Sequence, residues 1–109
     1  MKALSVKEPW AGLIRSGKKT IETRTWRTKY RGRILICASK NPKSEFSGKA
    51  VAVATLFDCR FMDEDDEKKA CCEIYPKACA WILRDIKAID PFPVKGQLNL
   101  FEVDYKEII

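Results

Sequence analysis

Apolar and polar positions along the chain group into short runs, most of them with the two-residue alternation of strands. The run Ala3 to Val6 predicts a strand. Pro9 suits the first turn of a helix, where its missing N–H costs nothing. Trp10, Leu13 and Ile14 follow at i, i+3, i+4, and Gly17 stands where a left-handed residue closes a helix. Lys19 to Trp26 is rich in β-branched residues (Thr20, Ile21, Thr23, Thr25) and predicts an extended segment. A turn at Arg31-Gly32 leads into a buried strand from Arg33 to Ala38.

The second half continues the pattern. Asn41 to Gly48 is a polar loop, and Lys49 to Arg60 predicts a long strand. Asp63 to Tyr75 predicts a second helix, closed by Pro76. Its acidic start, Asp63 to Glu67, complements the positive end of a helix dipole. Ala78 to Ile89 alternates with period two and predicts a strand. Asp90-Pro91-Phe92-Pro93 predicts a rigid turn, and Leu98 to Tyr105 a closing strand. No repeat or linker interrupts the series. The expectation is one α+β domain over residues 1–109, a mixed β-barrel of five or six strands with two short helices.

Composition sharpens this. With 46% hydrophobic and 33% charged residues in 109, the chain reads as a single folded domain. No apolar run approaches the roughly 18 residues of a membrane span. The first residues lack the apolar core of a secretory signal, which predicts a cytoplasmic protein with no membrane association. The chain has no histidine, so Ser-His-Asp and Cys-His catalysis and Cys₂His₂ zinc sites are excluded. Five cysteines without a Cys-x-x-Cys spacing read as free thiols, and neither a metal nor a cofactor is expected. The adjacent Cys71 and Cys72 have no role legible in the sequence.

The net charge of +6 conceals an asymmetry. Residues 1–60 hold fourteen basic and four acidic side chains, a balance of +10, and residues 61–109 a balance of −4. The excess peaks from Arg15 to Arg33, where Trp10, Trp26 and Tyr30 are interleaved or adjacent. Cations hold phosphate and flat rings stack on bases, so the mixture fits RNA or a nucleotide-derived small molecule. An unspecific solvated basic face has the same composition. A protein partner for the acidic 63–73 segment is a further expectation.

The densest chemistry is Gly17-Lys18-Lys19-Thr20-Ile21-Glu22-Thr23-Arg24. Strand alternation puts Thr20, Glu22 and Arg24 on one face and Lys19, Ile21 and Thr23 on the other. Glu22 and Arg24 are spaced to pair or to act together on a ligand, and a turn after Gly17 can bring Lys19 over either face. A surface ion pair worth roughly 0–1 kcal/mol is the bland alternative.

These residues stand in a wider pattern: Leu4-Ser5-Val6-Lys7-Glu8-Pro9-Trp10-Ala11, then Gly17-x-Lys19-x-x-Glu22-x-Arg24-x-Trp26, then Tyr30-Arg31-Gly32, Ile34-Leu35-Ile36 and Ala38-Ser39-Lys40. The sequence resembles the ASCH family, a PUA-like branch named for homology to activating signal cointegrator-1. The resemblance continues more weakly to Val103. It implies a PUA-like barrel that binds RNA or a modified nucleobase beside the helix after Pro9. The implied ligand-binding residues are Trp10, Lys19, Glu22, Arg24, Trp26, Ser39 and Lys40.

Some ASCH members resemble amidohydrolases acting on N4-acetylcytidine, and ribonuclease activity is attributed to others. The alternative is therefore a small hydrolase acting on a modified nucleoside or on RNA, with Lys19 and Glu22 as catalytic residues. In the amidohydrolase branch the nucleophile is a threonine three residues after the lysine. Here Glu22 fills that slot, and neither Thr20 nor Thr23 matches it.

Overall fold

The computed structural model describes residues 1–108. The strands are β1 (Lys2–Val6), β2 (Ile21–Arg24), β3 (Gly32–Ala38), β4 (Lys49–Phe61), β5 (Cys79–Pro93) and β6 (Leu100–Glu102). Helix α1 (Trp10–Arg15) follows β1, and a 3-10 turn (Glu64–Asp66) runs into the single-turn α2 (Glu67–Ala70). The strands form one sheet in the order β2-β5-β4-β3-β1-β6. Its β1–β3 pairing is parallel, and the other pairings are antiparallel. The sheet curls into a half-barrel.

The curl has a local cause. Three register shifts interrupt the β4–β5 ladder, and Asp85, at φ +49, sits in the middle one. Bulges of this kind bend a strand and increase its twist. Alternation then sorts side chains between the two faces of the sheet. Leu4, Val6, Ile34, Ile36, Trp81 and Leu83 pack with Ala11 and Ile14 of α1. Ala3, Leu35, Cys37, Ala50 and Phe101 face the other way, against Val103 and Tyr105. Both faces are therefore covered, and β2 and β6 are left as sheet edges.

α1 starts one residue later than Pro9, which stands before it, and the Glu8 carboxylate accepts the Gly12 N–H at 2.6 Å. Gly17, at φ +84, reverses the chain after the helix. The Lys19 N–H then donates to the Leu13 carbonyl (3.1 Å), which seats Lys19 directly before β2.

Three expected elements differ. Residues 90–93 continue β5 instead of forming a turn: Phe92 and Pro93 pair with Ala50 and Lys49. Pro91 is accommodated because it falls inside the bulge between the Ala52–Ala88 and Ala50–Phe92 pairs, where no ladder bond is required. The helix expected over 63–75 stops at Ala70, where Cys71 adopts the left-handed conformation at φ +56. The acids complete a capping box at the 3-10 turn between Asp63 and Asp66. From 71 to 77 no buried face repeats, so nothing sustains a helix there. The last strand is also shorter than expected, Leu100–Glu102 against Leu98 to Tyr105.

Candidate functional site

Lys19, Glu22 and Arg24 form an ion triad in the wall of a cavity of about 580 Å³. Lys19 is 1% exposed and Glu22 6%. The Lys19 Nζ lies 3.5 Å from Glu22 Oε1 and donates to the Ala70 carbonyl at the end of α2. Arg24 donates to Glu22 Oε2 from Nε (3.1 Å) and Nη2 (2.9 Å), and Nη2 also reaches the Ser5 carbonyl at 2.6 Å. β2 therefore carries the acid, the turn after Gly17 supplies one cation, and the guanidinium ties the set to β1. Each oxygen of Glu22 already faces one cation, and a carboxylate has lone pairs left for a further donor.

The rest of the wall comes from separate elements. Ser5 and Val6 of β1 and the following Lys7 extend it, and Trp10 borders it from α1. Ser39 follows the end of β3, Cys72 and Tyr75 follow α2, and Gln97, Leu98 and Asn99 lead into β6. Trp10 and Tyr75 are each 36% exposed, so both rings keep free surface at the cavity. Thr23 is there too, with its hydroxyl 3.9 Å from the Cys72 thiol. Alternation alone puts Thr23 on the opposite face from Glu22. β2 is an edge strand with no partner on its outer side, so residues of both faces border the cavity.

The ASCH domain family's sequence pattern matches residues 4–93, most of the chain. The chain belongs to the ASCH family. Its fold agrees: the crystal structure of ASCH from Zymomonas mobilis superposes with a TM-score of 0.73 at 21% identity, covering 94% of this chain and 86% of that one. A tyrosine-to-phenylalanine variant of the Zymomonas mobilis protein gives a TM-score of 0.69 at 20% identity, covering 94% and 88%. A serine-to-alanine variant gives 0.67 at 21%, covering 94% and 87%. No curated protein matches the chain in sequence.

Of the residues singled out in the sequence, this ASCH domain brings Trp10, Lys19, Glu22, Arg24 and Ser39 together at one cavity. Two stand elsewhere. Trp26 packs edge-on against Trp81, with ring centroids 4.7 Å apart, and its carbonyl accepts the Trp81 indole N–H at 3.1 Å. It supports the core behind the site and does not line the cavity. Lys40 borders a neighbouring groove of about 420 Å³, which shares Ser5, Ser39, Gln97 and Leu98 with the cavity. Tyr75, Cys72 and the 97–99 segment escaped sequence reasoning, because their approach depends on the early end of α2 and on the β5–β6 connection. Gln97 was part of the weak C-terminal resemblance, the one signal that pointed there.

All five cysteines are free. Burial pushes the Cys37 thiol up to about 12, which removes it as a nucleophile at neutral pH. Among the described residues no cluster of three or more Cys, Asp or Glu side chains is placed to hold a metal ion. No helix of the described residues is long and apolar enough to cross a membrane.

Proposed function

We propose that this ASCH domain binds RNA or a nucleotide-derived ligand, with a base held in the cavity above Lys19, Glu22 and Arg24. The carrying observation is the triad, with Lys19 and Glu22 buried and Arg24 partly buried. Burying ions costs several kcal/mol each and seldom stabilises a fold better than apolar residues do. A triad kept in the wall of an open cavity is therefore better explained by recognition than by stability. Glu22 accepts a ring N–H or exocyclic amine, as carboxylates do from cytosine N4. Lys19 and Arg24 fix the position of that carboxylate and offer positive charge to a base carbonyl. Trp10 and Tyr75 supply stacking faces, at roughly 1–3 kcal/mol per stacked base. The volume lies inside the roughly 300–1,000 Å³ range of small-molecule sites. The test is calorimetric titration with cytidine, uridine, adenosine, guanosine and N4-acetylcytidine. Saturable binding that fails when Glu22 is changed to Gln supports the reading; no binding of any of them by the folded protein counts against base recognition.

A second reading, hydrolysis of a modified nucleoside or RNA, rests on Thr23. Its hydroxyl borders the same cavity as Lys19 and Glu22, so a nucleophile stands one position beyond the expected slot. Incubation with N4-acetylcytidine, followed by chromatography for cytidine and acetate, tests it. Turnover lost in Thr23→Val would favour this reading over binding alone, and turnover unchanged in Thr23→Val and Lys19→Ala would remove these residues from it.

A further inference from the structure

The neighbouring groove holds more than a lysine displaced from the first site. It is lined by Lys40 and Lys95, with Gly48 and Gly96 between the walls, and among the described residues no carboxylate lines it. It is continuous with the first cavity through Ser5, Ser39, Gln97 and Leu98, which border both. One path therefore runs from the buried triad to two exposed ammonium groups. Among the described residues neither Lys40 nor Lys95 has an ion-pair partner, whereas Lys19 and Arg24 are both engaged with Glu22.

The backbone is arranged to the same end. The peptide N–H groups of Lys95, Gly96, Gln97 and Leu98 find no acceptor among the described residues, and this segment is exposed. A Cβ on Gly96 would come within 2.8 Å of Ser5 Oγ, so the segment lies close against the shared wall, and a larger residue there would have to turn that hydroxyl aside. The alkyl stem of Lys40 lies across Gly48, whose φ of +71 also favours glycine. Cations, free peptide donors and the serine hydroxyls together make an acceptor-poor, donor-rich surface. An anion of the phosphate type matches it.

We propose that the Lys40–Lys95 groove is a phosphate subsite, so that the ligand of this domain is a phosphorylated nucleoside with its base at the triad and its phosphate between the two lysines. This rests on the base-binding reading above, but it makes a separate prediction. A free nucleoside leaves the groove empty; a nucleotide fills both parts of the path. The phosphate is either the monoester of a free nucleotide or the diester of an RNA chain.

The experiment titrates wild type and the double variant Lys40→Gln/Lys95→Gln with the four common nucleosides, their 5′- and 3′-monophosphates, and dinucleoside monophosphates of the same bases. Both lysines are exposed, so the variant retains the fold, which circular dichroism verifies. At least one monophosphate or dinucleotide should bind wild type more tightly than its parent nucleoside by about tenfold or more, as the gain of one charge-assisted hydrogen bond requires. The double variant should lose that gain and leave nucleoside affinity unchanged. A gain confined to dinucleotides identifies an RNA chain, and one confined to monoesters a free nucleotide. Phosphorylated ligands that bind no better than nucleosides overturn the subsite and leave base recognition standing. A gain that survives the double variant also overturns it. Binding of phosphorylated ligands alone, lost in the variant, sustains the subsite and refutes base recognition at the triad. No binding by any probe overturns both.

Discussion

Lys19 and Glu22 carry both structure and proposed function, and the two have to be separated at the level of single atoms. Removing the Lys19 ammonium frees the Ala70 carbonyl and leaves Glu22 with Arg24 alone. Lys19→Ala is expected to lose about 3 kcal/mol of stability, the low end for breaking a buried pair, because Arg24 still neutralises the acid. Urea unfolding measures it, and a loss no larger than the roughly 0–1 kcal/mol of a surface pair would show that the triad is not structurally engaged. Glu22→Gln keeps the shape and is the cleaner probe of recognition. Trp26 carries the opposite expectation. Its edge-on packing against Trp81 predicts that Trp26→Ala costs about 3 kcal/mol, as large-to-small changes of core aromatics do, with little change in affinity of the protein that remains folded. Weakened binding with unchanged stability would return that ring to the site. Sequence made Lys19, Glu22 and Arg24 legible because their spacing is local. Trp26 was not legible in the same way, because a tryptophan beside arginines has the same local pattern whether its ring faces a ligand or a core.

At the scale of elements, the 3-10 turn and α2 position the far wall of the site. Asp66 anchors them: it accepts the Asp63 N–H at 2.9 Å and two bonds from Arg60, at 2.7 and 2.8 Å. The Arg60 guanidinium holds the Asp66 carboxyl below its ordinary 3.8, against the opposing effect of burial. Arg33 likewise lowers Glu107, binding it at 2.6 and 2.8 Å. A depressed carboxyl adds stability that is complete above its unfolded pKa and disappears as pH falls through the folded one. Stability should therefore decline on acidification below about pH 4, and Asp66→Asn should flatten part of that decline while lowering stability at neutral pH. Thermal melts from pH 2 to 7 provide the measurement; an unaltered acid slope in Asp66→Asn would contradict the anchor. The elements most legible in the sequence were those with a clear period, β1, α1, β3 and β4. Residues 90–93 and 71–77 were not, because a proline inside a bulge reads as a turn and a left-handed Cys71 has no local signature.

For the whole molecule, the +6 charge is less informative than its placement. The basic first half supplies Lys7, Lys19, Arg24 and Lys40 to two connected depressions, and the second half adds Lys95 and the Tyr75 ring. If RNA occupies this path, affinity for a short single strand should fall as salt rises, with a log–log slope of about −0.7 for each phosphate engaged. Fluorescence titrations at several salt concentrations measure that slope, and a slope of zero would contradict phosphate contact. The family and the half-barrel were legible because residues 4–40 hold many fixed types at fixed spacing. The joining of two depressions was not, since it depends on where a loop near the C-terminal end lies against Ser5.

The most direct test of base recognition at the triad is a calorimetric titration of wild type and Glu22→Gln with the ordinary nucleosides, N4-acetylcytidine and their monophosphates. The expected result is saturable binding of at least one of them to wild type, weakened about tenfold or more in the variant, as loss of a hydrogen bond to a charged acceptor requires. Equal affinity of the two proteins for every ligand that binds would contradict the assignment of Glu22, and with it the central role of the buried triad.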